Sequence, residues 1–90
     1  MLVALMARDK PKSLEIRKAN RSAHLGYIEE TGIVNMAGPF LDENGNMTGS
    51  LVILDVPDMA AARAWAENDP YAKAGLFETV VLSEWKKVVG

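Results

Sequence analysis

Cysteine is absent from the 90 residues, which removes disulfides, thiolate nucleophiles, cysteine zinc sites and iron–sulfur clusters. Histidine occurs once, as His24, so no multi-histidine metal centre can form within one chain. No metal and no organic cofactor are expected. A surplus of positive charge is missing too: ten Lys and Arg face twelve Asp and Glu, the wrong balance for a nucleic-acid surface. No apolar run approaches the roughly 18–20 residues of a membrane span. Met1–Ala7 is apolar but too short for a signal sequence, and no cleavage-site pattern follows it. The expectation is a cytoplasmic protein with neither nucleic-acid nor membrane partners.

What remains is the composition of one folded unit. Hydrophobic residues make up 49% and charged residues 24%, which fits a globule and not a disordered tail. Ninety residues leave room for one core, so residues 1–90 are read as a single domain. At this size folding buries only about 60% of the unfolded surface. Small domains without disulfides or metals often gain further area from a partner subunit. The charge is also uneven. Residues 1–32 hold six Lys/Arg and four Asp/Glu, whereas residues 33–85 hold two and eight.

Leu2–Arg8 is a nearly continuous apolar run and reads as a buried strand. Ser13 is a candidate N-cap, although Ile16 and Arg17 stand where a capping-box Glu would. A helix over Ser13–Thr31 ends at Gly32, which accepts a left-handed C-terminal position. Ile33–Leu41 is a second strand interrupted by Gly38-Pro39, and Asp42–Asn46 with its Asn-Gly pair is a hairpin connection. Thr48–Val56 returns as a third strand, and Met59–Glu67 is an alanine-rich helix behind Pro57-Asp58. Asn68-Asp69-Pro70 breaks that helix, Tyr71–Gly75 adds a short turn, and Phe77–Trp85 is the fourth strand. The order β-α-β-β-α-β predicts an α+β, ferredoxin-like fold: a four-stranded antiparallel sheet with two helices on one face. Leu2–Met6, Leu51–Leu54 and Val80–Leu82 are apolar on both sides, where a half-covered sheet should alternate. A second copy covering the bare face would resolve this. The expected partner is therefore another chain, in a homodimer or higher oligomer built through the sheet.

Around the first helix, Leu14, Leu25 and Ile28 form an apolar stripe. Arg21 falls within it, flanked by Arg17 and His24. One reading has the arginines snorkelling and His24 as a half-buried helix residue. The other is a pocket between helix and sheet, with His24 as the proton carrier and the arginines facing an anion or a polarised carbonyl. Such a histidine needs an orienting carboxylate, and Asp42, Asp55, Asp58 and Asp69 are the candidates. Asp69-Pro70 is also an ordinary helix start. Gly38, Pro39, Gly49 and Ser50 break their strands, either as bulges or where a ligand approaches closely.

The pattern Arg17…Arg21-Ser-Ala-His24-Leu, Ala37-Gly38-Pro39, Thr48-Gly49-Ser50, Ala64-Trp65-Ala66, Asp69-Pro70-Tyr71 and Ala74-Gly75-Leu76-Phe77 resembles the YciI-like (YCII-related) family over the whole chain. The resemblance implies a dimeric α+β barrel and a histidine–aspartate dyad, carried here by His24 and Asp69. Tyr71, beside Asp69 in that motif, joins Arg17, Arg21, Gly38, Pro39, Gly49 and Ser50 as the expected ligand-contacting residues. The hairpin Asp42–Asn46 is shorter than in typical members, which alters the pocket rim. The implied activity is a cofactor-independent lyase or isomerase acting on a small enolisable or hydroxy-aromatic, anionic molecule. The alternative is a non-catalytic ligand-binding or accessory module on the same barrel.

Overall fold

The two most apolar strands take the centre of the sheet, where both edges of each strand are hydrogen-bonded. In the computed structural model, which describes residues 1–90, the chain runs β1 (Leu2–Asp9), α1 (Leu14–Thr31), β2 (Val34–Leu41), β3 (Met47–Asp55), α2 (Met59–Asn68), α3 (Pro70–Lys73) and β4 (Phe77–Trp85). The four strands form one antiparallel sheet in the order β2-β3-β1-β4. This is the ferredoxin-like arrangement predicted from the element order. Pro39 cannot donate to a ladder, and β2 tolerates it because β2 is an edge strand. The register of β2 slips near both of its ends, between Val34 and Met36 and between Phe40 and Leu41.

One sheet face carries the core. Val3 pairs with Leu54 and Leu5 with Val52, and these pack with Ala7, Val56, Ala62 and Trp65 beneath the helices. Local signals set the helix ends. Gly32 closes α1 at φ 65°, its N–H reaching the Ile28 carbonyl. Asp58 caps α2 by accepting from the Ala61 N–H at 2.8 Å. Ser13 precedes α1 but does not cap it, because its hydroxyl donates to the Lys10 carbonyl instead. Without a Glu three residues on, nothing completes the capping box.

The opposite face has no helix over it. Ala4, Met6, Leu51, Ile53 and Val81 share it by register, with Met36 at its β2 end. Met36 is 48% and Val81 53% exposed. Arg8 lies over the Phe40 ring there, 4.1 Å from its centroid. Gly49 pairs with Arg8 on this same face, and a Cβ on Gly49 would run into the Ala7 carbonyl oxygen. Gly49, expected at the pocket, thus serves the close approach of β1 and β3.

Candidate active site

The first βα connection brings the end of β1 against the first turns of α1. Asp9, the last residue of β1, thereby meets Arg17, one turn into α1. Nε of Arg17 donates to Asp9 Oδ2 at 2.7 Å and Nη2 to Oδ1 at 2.8 Å. Both side chains are buried, at 3% and 6% exposure. Nη2 also donates to Ser50 Oγ at 3.0 Å, tying α1 to β3. Burial alone would weaken the hold of Arg17 on its proton. The hydrogen bonds and charge of Asp9 outweigh that, so its pKa is raised.

Two turns further along α1, His24 Nδ1 lies 2.8 Å from Asp69 Oδ1. A carboxylate accepts and does not donate, so the shared proton sits on Nδ1. The same Oδ1 accepts the Tyr71 N–H at 3.0 Å and so caps α3. The pair is buried, with side chains 8% and 2% exposed. Nε2 has no partner within the chain, yet it is not sealed off. Its ring is held flat against Tyr71, with centroids 3.9 Å apart and planes 15° apart. Tyr71 is held in turn by the edge of Phe77, at 6.0 Å, and by Arg17, whose Cζ is 4.7 Å from the Tyr71 ring centroid.

These groups line a cavity of ≈180 Å³ between α1 and the strands β2 and β3. Its polar wall is Arg17, His24, Ser50 and Tyr71, with Arg21 beside them, and Gly38 and Pro39 belong to its β2 side. Leu25, Ile28, Met47 and Val52 supply the apolar wall. A dry cavity of about 150 Å³ holds one benzene ring, so this space suits a single-ring molecule. A wider, more open depression of ≈670 Å³ lies between α1 and α3, but His24, Arg17 and Tyr71 do not line it.

The structure thus gathers seven of the nine expected residues around one cavity, with Asp69 directly behind His24. Gly49 does not line it. Arg21 is exposed, in contrast to Arg17 and His24, because no acidic partner on the sheet draws it inward. Asp9 is not among the carboxylates that the sequence singles out. The available signal was positional: in a βα unit, the strand's last residue lies next to the helix's first turns.

Burial pushes the Tyr71 phenol up from its usual value near 10, with Arg17 and Arg21 pulling against it and Asp69 adding to the rise. Tyr27, whose hydroxyl donates to the Trp65 carbonyl at 2.8 Å, is likewise raised by burial and by Asp69. A group that holds its proton more tightly when folded loses that advantage as pH rises. Stability is therefore expected to fall above about pH 10, beyond the ordinary phenol value. Denaturant titrations across that range should show the decline, and Tyr71→Phe should make it shallower.

A ferredoxin-like α+β domain with a buried imidazole–carboxylate pair at the wall of a one-ring cavity is the class that fold and site define. The chain belongs to the YCII-related domain family, whose model matches residues 1–86. It is 40% identical over 97 residues to protein YciI of Escherichia coli O6:H1, covering 98% of this chain and 99% of the relative. An uncharacterized protein of Haemophilus influenzae is 37% identical with the same coverage. Among solved structures, the 5-chloro-2-hydroxyhydroquinone dehydrochlorinase TftG of Burkholderia phenoliruptrix, in complex with 2,5-dihydroxybenzoquinone, superposes with a TM-score of 0.87. It is 35% identical, covering 96% of this chain and 94% of that one. An antibiotic biosynthesis monooxygenase with a TM-score of 0.57 and 18% identity shares the fold.

Proposed function

We propose that this chain is a cofactor-independent acid–base enzyme of the lyase or isomerase type, acting on a small hydroxy-aromatic or enolisable molecule. The observation that carries the reading is the division of labour on the His24 ring. Nδ1 is held by Asp69, while Nε2 has no protein partner, and His24 lines the cavity. In this reading Nε2 removes a proton from a ring hydroxyl or from a carbon next to a carbonyl. The electron pair moves onto oxygen as a phenolate or enolate, which the Arg17 cation stabilises. The collapse of that anion either expels a leaving group or takes the proton back at another carbon. Likeness to a dehydrochlorinase at 35% identity supports the elimination branch.

The test is a turnover screen of chlorinated and unchlorinated hydroxyhydroquinones and small unsaturated lactones, with wild type beside His24→Asn. Turnover that disappears in the variant is the expected result. Saturable binding with no turnover of any compound would instead favour a ligand-binding module.

The apolar face opposite the helices is part of the same proposal: two copies pair sheet to sheet as a homodimer. Light scattering at micromolar concentration is expected to give twice the 9.8 kDa chain mass. A stable monomer would leave Met6, Leu51 and Val81 without a cover and refute the pairing.

A further inference from the structure

The donors of Arg17 are already largely committed, and this restricts what the cavity can bind. A guanidinium offers five N–H groups in a planar fork. The edge formed by Nε and Nη2 is occupied by Asp9, at 2.7 and 2.8 Å. The second Nη2 proton goes to Ser50 Oγ at 3.0 Å. Nη1 alone is left uncommitted by a well-formed hydrogen bond, with the Tyr71 side chain packed beside the guanidinium, and it is not sealed off. A carboxylate gains from guanidinium by taking two parallel N–H bonds. Neither edge of Arg17 can supply them, because both edges use Nη2. Ser50, having accepted from Nη2, still has its own O–H to give, and it lines the same cavity.

We infer that the cavity recognises a single anionic oxygen, a phenolate or an enolate, through Arg17 Nη1 and the Ser50 hydroxyl, and disfavours carboxylates. Asp9 and Ser50 create this preference by using up the fork of Arg17. Asp9 is therefore a positioning residue: it reaches the ligand only through Arg17. The inference rests on the reading that the ligand sits in this cavity, and it does not depend on proton transfer. Arg21 is a separate matter. It is exposed beside the cavity, none of its donors is used within the chain, and it could fork a carboxylate by itself.

The experiment compares 4-nitrophenolate with 4-nitrobenzoate, two anions on the same ring, at a pH where both are ionised. Affinities are measured by NMR titration of the intact protein in an Arg21→Met background, which removes the free fork. The phenolate is expected to bind about tenfold tighter, the scale of one charge-assisted hydrogen bond made or missed. Adding Ser50→Ala frees the second Nη2 proton and opens the Nη1–Nη2 edge. The benzoate is then expected to tighten in absolute terms by about threefold or more, while the phenolate weakens. A merely structural Ser50 would not improve binding of either anion. Equal affinities in the Arg21→Met protein, or a benzoate unmoved by Ser50→Ala, would overturn the inference and leave the site reading intact. If neither anion bound saturably, the cavity would not be the ligand site and both readings would fall.

Discussion

Replacing His24 by asparagine is expected to reduce turnover by about 10²–10⁴-fold, the usual contribution of a positioned acid–base group, with little change in melting temperature. Asparagine is the informative substitution because its Nδ2 stands near the position of the imidazole Nδ1. It can keep the bond to Asp69 Oδ1, now 2.8 Å long, while removing Nε2 altogether. Alanine confounds two effects, since it also strips the partner from a carboxylate that is 2% exposed. Kinetics at saturating substrate, read beside a thermal melt, separate the loss of chemistry from the loss of fold.

Asp69 calls for a different set of variants. A helix cap and a histidine orienter look like rival roles in the sequence, yet one oxygen performs both. Oδ1 accepts from Tyr71 N–H and from His24 Nδ1. In Asp69→Asn the backbone N–H keeps the amide oxygen, and not its NH₂, in that place. The imidazole tautomer therefore survives and only the negative charge is lost. A drop of about 10–100-fold is expected, the difference between a charge-assisted and a neutral hydrogen bond. Asp69→Ala removes cap and orienter together. It should cost more turnover and about 0.5–2 kcal/mol of stability.

The largest effect on stability is expected at Asp9, a residue with no direct ligand contact in this account. Asp9→Ala leaves the Arg17 guanidinium, 3% exposed, with Ser50 as its one remaining hydrogen-bond partner. Removing one member of a buried ion pair typically costs about 3–5 kcal/mol. That is a large share of the roughly 5–13 kcal/mol a domain of this size holds, and it corresponds to a fall in Tm on the order of 20 °C. Asp9→Ala combined with Arg17→Met should recover most of the loss, because no uncompensated charge remains. Thermal melts of the two proteins decide the point. A double variant as unstable as the single one would show that packing at Asp9, and not charge, is what matters.

Much of this was legible in the residues. The four strands and two main helices follow from apolar runs and breakers, while Pro39 is compatible with an edge or a bulge and the structure shows the edge. The element order placed both helices on one face of the sheet, and the two-sided apolar character of β1 and β3 is what motivates the proposed sheet-to-sheet homodimer. The cationic stripe on α1 pointed at the cavity that Arg17, Arg21 and His24 line together, but it could not rank its members. A helical wheel gave Arg21 the central place, whereas the strand end at Asp9 selects Arg17. That pairing depends on where β1 stops relative to α1, which helix periodicity alone does not encode. Gly49 was misread for a related reason. Its missing side chain answers to the backbone of β1 across the ladder, and a strand read alone contains no information about its neighbour.

In the proposed mechanism Asp69 keeps the Nδ1 proton in place and so presents Nε2 of His24 to the ligand. His24 is the sole histidine, so one ¹⁵N-labelled imidazole gives an unambiguous spectrum. The decisive measurement is the tautomer of that ring by long-range ¹H–¹⁵N correlation, taken in the neutral form of the imidazole. The expected spectrum shows a protonated Nδ1 and an unprotonated Nε2 in wild type and in Asp69→Asn, with the Nε2 resonance shifting when 4-nitrophenolate is added. A ring protonated at Nε2 in the wild-type protein, or an Nε2 signal indifferent to the ligand, would contradict it.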